Sequence, residues 1–185
     1  MSQIQIAVVV GSIRKESFNR QFAEAFVKLA PQDVKFNFIR IDDLPLYDQD
    51  SDAAAPVPAV ARLREEIKAA DAVLFFTPEY NRSVPGVLKN AIDHASRPWG
   101  KSVWAGKPAA VLGVSVGAIG TAMAQQHLRN VLAYLNMPTL SSNEAFIHWK
   151  DGLVVDGEVG PASKEFAQNI LNNFLAWVKQ NAAKP

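Results

Sequence analysis

No cysteine occurs among the 185 residues, which excludes a disulfide framework, a thiolate metal site, an iron–sulfur cluster and a thiol nucleophile. Redox chemistry in such a chain needs a borrowed cofactor. No apolar run approaches the roughly 20 residues of a membrane helix, and the opening Met-Ser-Gln-Ile-Gln-Ile lacks the charged start and long apolar stretch of a signal peptide. The expectation is a cytoplasmic protein without a membrane partner. An excess of one charge is missing too. Nineteen Lys and Arg stand against 18 Asp and Glu, net +1, with the signs interspersed, so neither nucleic acid nor a strongly charged protein partner is indicated. Only three histidines are present, none at metal-ligand spacing with other donors, and no metal is expected. Repeats and low-complexity blocks are absent.

What remains is ordinary globular composition, 49% apolar and 20% charged, in a length that fits one domain over residues 1–185. Three runs, Ile4 to Val10, Ala72 to Thr77 and Pro108 to Ser115, are apolar nearly throughout, as strands are when both faces of a parallel sheet are covered. Val34 to Ile41 mostly alternates and reads as a strand nearer an edge. A further strand is expected near Ala145-Phe146-Ile147, and Trp149 to Val154, with its Asp151-Gly152 turn signal, as a small hairpin. Between these lie helix-period segments: Ser17 to Ala30, Val57 to Ala70, Val84 to Ala95, Gly120 to Asn136 and Ala162 to Gln180. Asp48 to Pro58, rich in Ala, Asp and Pro, reads as a loop. Alternating strands and helices of this length predict a doubly wound α/β sandwich with about five parallel strands and helices on both faces.

In such a sheet ligands bind outside the carboxyl ends of the strands. After the first strand come Gly11 to Arg20, with Ser12, Arg14, Ser17 and Asn19 leading into a helix. Hydroxyls, an amide and guanidinium groups beside a helix N-terminus suit a phosphate. The spacing is neither G-x-G-x-x-G nor a P-loop, which favours a monophosphate. The same residues also read as a plain helix start, with Ser17 an N-cap and Arg14 a solvated side chain. After the third strand, Pro78-Glu79-Tyr80-Asn81 places an aromatic beside an amide between prolines. That fits a wall for a planar ring, and equally a turn into a helix with Pro near its start. After the fourth, Ser115 to Thr121 carries Gly117 and Gly120, which allow backbone to approach a ligand or a helix to pack tightly. No Ser has His and Asp at triad positions. Asp42-Asp43 ends the second strand, but a receiver's phosphoacceptor follows the third, where this chain has Pro78-Glu79. His127 reads as a polar contact at a helix or subunit interface, and Trp99 and Trp104 as packing or oligomer contacts.

G-S-x-R-x-x-S-x-N-R near the start, P-E-Y-N-x-S-x-P-G-x-L-K-N-A-I-D in the middle, and S-x-G-x-x-G followed by Q-H-L-R resemble the NADPH-dependent FMN reductase family, in particular its bacterial quinone and chromate reductases. The resemblance implies a flavodoxin-like fold and bound FMN, with NADPH or NADH as co-substrate. Ser12, Arg14, Ser17 and Asn19, with Ile13 through its backbone, are implied at the phosphate. Pro78, Glu79, Tyr80 and Asn81 are implied along the isoalloxazine, and Ser115, Gly117 and Gly120 near the pyrimidine side and ribityl chain. Family relatives often carry Gly-Gly where this chain has Gly120-Thr121. The implied activity passes hydride from NAD(P)H to quinones, or to flavin, chromate, azo or nitro compounds, with no catalytic side chain, in a homo-oligomer, dimer or tetramer. The alternatives are a flavodoxin-type electron carrier, which net +1 disfavours, and a non-catalytic FMN-binding module.

Overall fold

The computed structural model describes residues 3–54, 56–142 and 144–181. Five strands, β1 (Ile4–Val10), β2 (Val34–Phe38), β3 (Ala72–Phe76), β4 (Ala109–Ser115) and β5 (Ala145–His148), form one parallel sheet in the order β2-β1-β3-β4-β5. The crossovers carry helices α1 (Phe18–Val27), α2 (Gln49–Ala54), α3 (Pro58–Ala69), α4 (Gly86–Ala95) and α5 (Ala122–Tyr134), and α6 (Pro161–Asn181) closes the chain. This is the doubly wound five-stranded parallel sheet predicted from the alternation of apolar runs, in the flavodoxin-like form that the resemblance implied.

Because side chains alternate across a strand, each central strand feeds two cores. Ile6, Val8 and Val10 of β1 face a layer with Phe22 and Phe26 of α1 and Phe174 of α6. Ala7 and Val9 face the opposite layer, with Ile67 of α3, Ile92 of α4 and Leu132 of α5. β2 is covered less completely and lies at the edge, with Lys35 and Asn37 exposed between half-buried neighbours. It ends at Phe38, short of the predicted Ile41, although Ile39 N still donates to Val8 O at 2.9 Å.

Two expectations need correction, and an alternative left open is decided. Asp48 to Pro58 is not all loop: Asp48 accepts from the backbone of Asp50 and Ser51, both at 3.2 Å, and so starts the short helix α2, whose acidic first turn suits the helix dipole. The hairpin is formed by β6 (Val154–Val155) and β7 (Glu158–Val159), around Asp156-Gly157 rather than Asp151-Gly152. Asp156 and Gly157 have φ of 52° and 74°, the paired left-handed residues of a two-residue hairpin turn. Trp104 is fully buried and donates its indole N–H to Ile92 O at 3.0 Å, so it serves the core and not a subunit contact.

The order of strands places the site. From β1 the chain steps outward to β2 and then returns to β3 on the other side of β1, so the loops after β1 and β3 diverge and leave a crevice between them.

Candidate functional site

The first loop leaves β1 through Gly11, whose N–H donates to Phe76 O at 2.8 Å. A Cβ at Gly11 would lie 2.9 Å from Leu88 Cδ2 and 3.2 Å from Leu88 Cβ, so the strand end passes close to α4 and a larger residue there would displace the Leu88 side chain. Ser12 Oγ then accepts from Arg14 N at 3.3 Å. Ser17 is the N-cap of α1 and accepts from Arg20 N at 3.2 Å, which leaves its hydroxyl proton and the other first-turn N–H groups of α1, those of Phe18 and Asn19, for a ligand. Arg14 donates Nε to Glu16 O at 3.0 Å, and its guanidinium lies 4.6 Å over the Phe18 ring. Phe18 in turn stacks on Trp149 at 4.3 Å and 22°. The column Arg14, Phe18, Trp149 thus fixes a cation that has no carboxylate partner among the described residues.

Asn19 is buried, and its carboxamide is engaged with β4: Nδ2 donates to Val114 O at 2.8 Å and Oδ1 accepts from Val114 N at 2.9 Å. The reason lies in β3. Thr77 N gives the last bond to β4, to Leu112 O at 2.9 Å; the chain then turns away at Pro78, which has no N–H. Val114, two residues past Leu112 on the same edge, needs a donor and an acceptor, and one carboxamide supplies both.

The second loop makes a tight turn. Tyr80 and Ser83 exchange backbone bonds of 3.1 and 3.0 Å around Asn81 and Arg82, with φ of 52° and 64°. Asn is among the residues that accept this left-handed backbone most readily. Ser83 Oγ meets His127 Nδ1 of α5 at 2.7 Å. Glu79 turns its carboxylate from the cavity to the start of α5, where Oε2 accepts from Met123 N at 3.0 Å and Ala124 N at 3.1 Å.

In the third loop Ser115 Oγ accepts from Gly117 N at 3.0 Å, and Trp149 N donates to Ser115 O at 2.8 Å. Gly120, at φ 60°, passes so close to β5 that a Cβ would meet Phe146 C at 2.7 Å. Thr121, the residue that departs from the Gly-Gly pattern of the resemblance, is fully buried above Gly113. A Cβ on Gly113 would fall 1.8 Å from Thr121 Oγ1 and 2.3 Å from Thr77 O; the threonine therefore fits because β4 carries glycine beneath it.

A cavity of about 210 Å³ brings together Ser12, Arg14, Ser17 and Asn19, then Pro78, Glu79 and Tyr80, then Ser115. The other candidate residues stand elsewhere. Ile13 is exposed and points to an adjoining cavity of about 400 Å³ shared with Arg40 and Asp42. Asn81 belongs to the turn, Gly117 is exposed, and Gly120 packs on β5. Phe18, Val114 and Val116 also line the cavity, and Trp149 supports it through Phe18. Phe18 falls within the helix-period segment Ser17 to Ala30 and also packs against the core; an aromatic just inside the helix that follows an anion-suited loop is the signal that marks it. Larger cavities of about 570 Å³ beside α1 and between α4 and α5 touch none of the three loops. Among the described residues no group of three His, Asp or Glu is disposed to hold a metal.

The donor set suits a phosphate ester. Two hydroxyls, a guanidinium and a helix N-terminus converge, and the one carboxylate in the cavity lining, Glu79, is already bonded elsewhere. A family model described as NADPH-dependent FMN reductase matches residues 4–151. A 2-hydroxy-1,4-benzoquinone reductase of a Burkholderia species is 51% identical over 178 residues, covering 95% of this chain and 97% of that protein. A quinone reductase of Pseudomonas putida is 50% identical over 185 residues, covering 99% of this chain and 100% of that protein. The solved structure of FerB, a flavoenzyme NAD(P)H:(acceptor) oxidoreductase from Paracoccus denitrificans, matches with a TM-score of 0.92 and 42% identity over 97% of this chain and 99% of that one. Loop chemistry, strand order and these similarities agree, and the chain belongs to the NADPH-dependent FMN reductase family.

Proposed function

We propose that this protein is an NAD(P)H:quinone oxidoreductase that works with FMN. The observation that carries the proposal is the meeting of three loops on one cavity. Its donor-rich end suits a monophosphate, and beside it Tyr80 and Val116, 53% and 65% exposed, form an open apolar ledge on which planar rings stack. Ser12, Arg14, Ser17 and the start of α1 hold the phosphate, with Ile13 contributing backbone and Asn19 keeping β4 in place beneath it. Pro78, Tyr80, Ser115 and Val116 flank the ring, and Asn81, Gly117 and Gly120 shape the backbone of the two loops that carry them. When bound, FMN supplies the two-electron chemistry that joins the two half-reactions. The chain contributes binding, orientation and an open face; no side chain of the cavity is held as a general acid or base, and protons reach the quinone oxygens from water at that face. The choice of quinone follows from the relatives near 50% identity, which are named for quinones. The proposal extends to a single domain, a cytoplasmic location and a homo-oligomer, dimer or tetramer, in which a second copy encloses the ledge.

The test is the absorbance of the purified protein. A flavin band that bleaches anaerobically with NADPH, returns on adding 1,4-benzoquinone, and gives parallel double-reciprocal lines in steady state is the expected result. Intersecting lines would refute a single face used in turn by nicotinamide and quinone, and slow bleaching without a partner protein would favour an electron carrier.

A further inference from the structure

A helix begins with N–H groups that lack intrahelical partners, and a side chain at the N-cap usually accepts from the second or third residue. α5 has no such cap of its own. Thr121, at φ −120° and ψ 39°, makes no capping bond, and its hydroxyl accepts from Gln125 Nε2 at 3.0 Å. The missing acceptor comes from a different crossover: Glu79 Oε2 takes both Met123 N at 3.0 Å and Ala124 N at 3.1 Å. Its other oxygen faces Arg82 Nη1 at 3.3 Å, and the Glu79 side chain is only 9% exposed, a setting in which charge-assisted bonds are strong.

These contacts hold the third loop at its far end. Its near end is fixed by Asn19 on Val114 and by Trp149 N on Ser115 O. Glu79 joins it to the second loop, beside the Ser83–His127 contact farther along α5, and the same contact places the carboxylate against a helix N-terminus, where a negative charge is stabilised. We propose that Glu79 is a positioning residue, setting the β4–α5 loop against the β3–α4 loop by capping α5 from outside the helix, and that its carboxylate acts on the cofactor only through those loops. The cofactor part of this proposal rests on the FMN reading above; the cap itself does not.

The experiment compares Glu79→Gln, Glu79→Asp and Glu79→Ala by hydrogen exchange at the Met123 and Ala124 amides, in FMN-loaded protein and after FMN removal, together with FMN affinity by fluorescence titration. Gln keeps an oxygen at the same reach and can accept from both amides. Asp is one methylene shorter, and Ala has no acceptor. Exchange at the two amides is expected to rise about 2- to 30-fold in the Ala and Asp variants, the span of a lost N-cap, and less than about twofold in the Gln variant. The FMN dissociation constant should rise in the same order, with Gln nearest the parent. Equal loss of FMN affinity in all three variants with unchanged amide exchange would make Glu79 a direct cofactor contact and overturn the proposal. Unchanged exchange in both the Ala and Asp variants would overturn it as well. If the Ala variant does not fold, the contrast between Asp and Gln decides. Failure of the parent to bind FMN would remove the flavin reading while leaving the exchange order intact, so the two failures are separable.

Discussion

Asn19→Ala separates a structural from a ligand-binding role at the site. The carboxamide makes bonds of 2.8 and 2.9 Å to both backbone groups of Val114, and Asn19 and Val114 are 3% and 1% exposed. An intramolecular hydrogen bond contributes about 0.5–1.5 kcal/mol net, and a buried polar group left without a partner costs about 1–3 kcal/mol. Truncation removes two bonds and strands both a donor and an acceptor. Because Asn19 lines the cavity, water can reach part of the gap, which places the expected loss near the lower end, about 2–3 kcal/mol. For a chain of this size that is roughly 5–10 °C in Tm. Asn19→Asp should cost at least as much, since a carboxylate cannot donate to Val114 O and sets negative charge against it.

The assay is urea unfolding of FMN-free protein, with FMN affinity measured in parallel. A stability loss under about 1 kcal/mol, the range of an ordinary surface substitution, combined with a large loss of FMN affinity, would refute the assignment of Asn19 to the sheet and return it to the phosphate.

Arg14→Ala should show the opposite pattern: FMN affinity weakened by about 1.5–3 kcal/mol, the range for a charge-assisted hydrogen bond, with urea stability nearly unchanged; unaltered affinity in a fluorescence titration would count against the phosphate assignment. Trp149→Ala removes the far face of the Arg14, Phe18, Trp149 column and should weaken FMN binding by about 0.5–1.5 kcal/mol, the worth of an aromatic pair, as isothermal titration can measure. Gly113→Ala should destabilise the fold by more than about 3 kcal/mol, a strained-core effect, and adding Thr121→Gly should restore only part of it, because Thr77 O lies 2.3 Å from the new Cβ. Full rescue in thermal melts would show that the clash lies with Thr121 alone. Light scattering at micromolar concentration should give a mass at least twice the 20.2 kDa of one chain; a monomer with full quinone reductase activity would sink the proposed homo-oligomer.

The parallel sheet was legible because its central strands, buried on both faces, read as near-continuous apolar runs that are too short for helices and rich in β-branched residues. β1 and β4 run Ile4–Val10 and Ala109–Ser115, within a residue of their apolar runs. What the pattern hid was local and polar. α2 depends on Asp48 reaching the N–H groups of Asp50 and Ser51, and composition alone concealed that cap among Ala and Pro. Two Asp-Gly pairs competed for one hairpin, and pairing of Val154 with Val159, rather than the turn residues, decided between them. At the site, sequence could bring the right loops to one edge but not divide their labour. Asn19 and Glu79 have the donors and acceptors of ligand contacts, yet each is spent on backbone that a neighbouring element leaves unpaired. Only the register of β3 against β4, and the start of α5, reveals those needs.

The two ends of the site are built differently, and the difference bears on what it recognises. The donor-rich end is made of groups whose positions are fixed by other bonds: Ser17 by its cap, Arg14 by Glu16 O and the Phe18 ring, the floor by Asn19. Such preorganised donors discriminate sharply, because a ligand without the anion leaves them unpaired. The ledge beside them offers exposed Tyr80 and Val116 and no comparable set of fixed donors. Stacking on such a surface selects flatness and apolar area rather than substituent pattern. A site of this kind holds one phosphate-bearing partner firmly and admits a succession of planar ones loosely, the division of affinity that a reductase serving two substrates in turn requires.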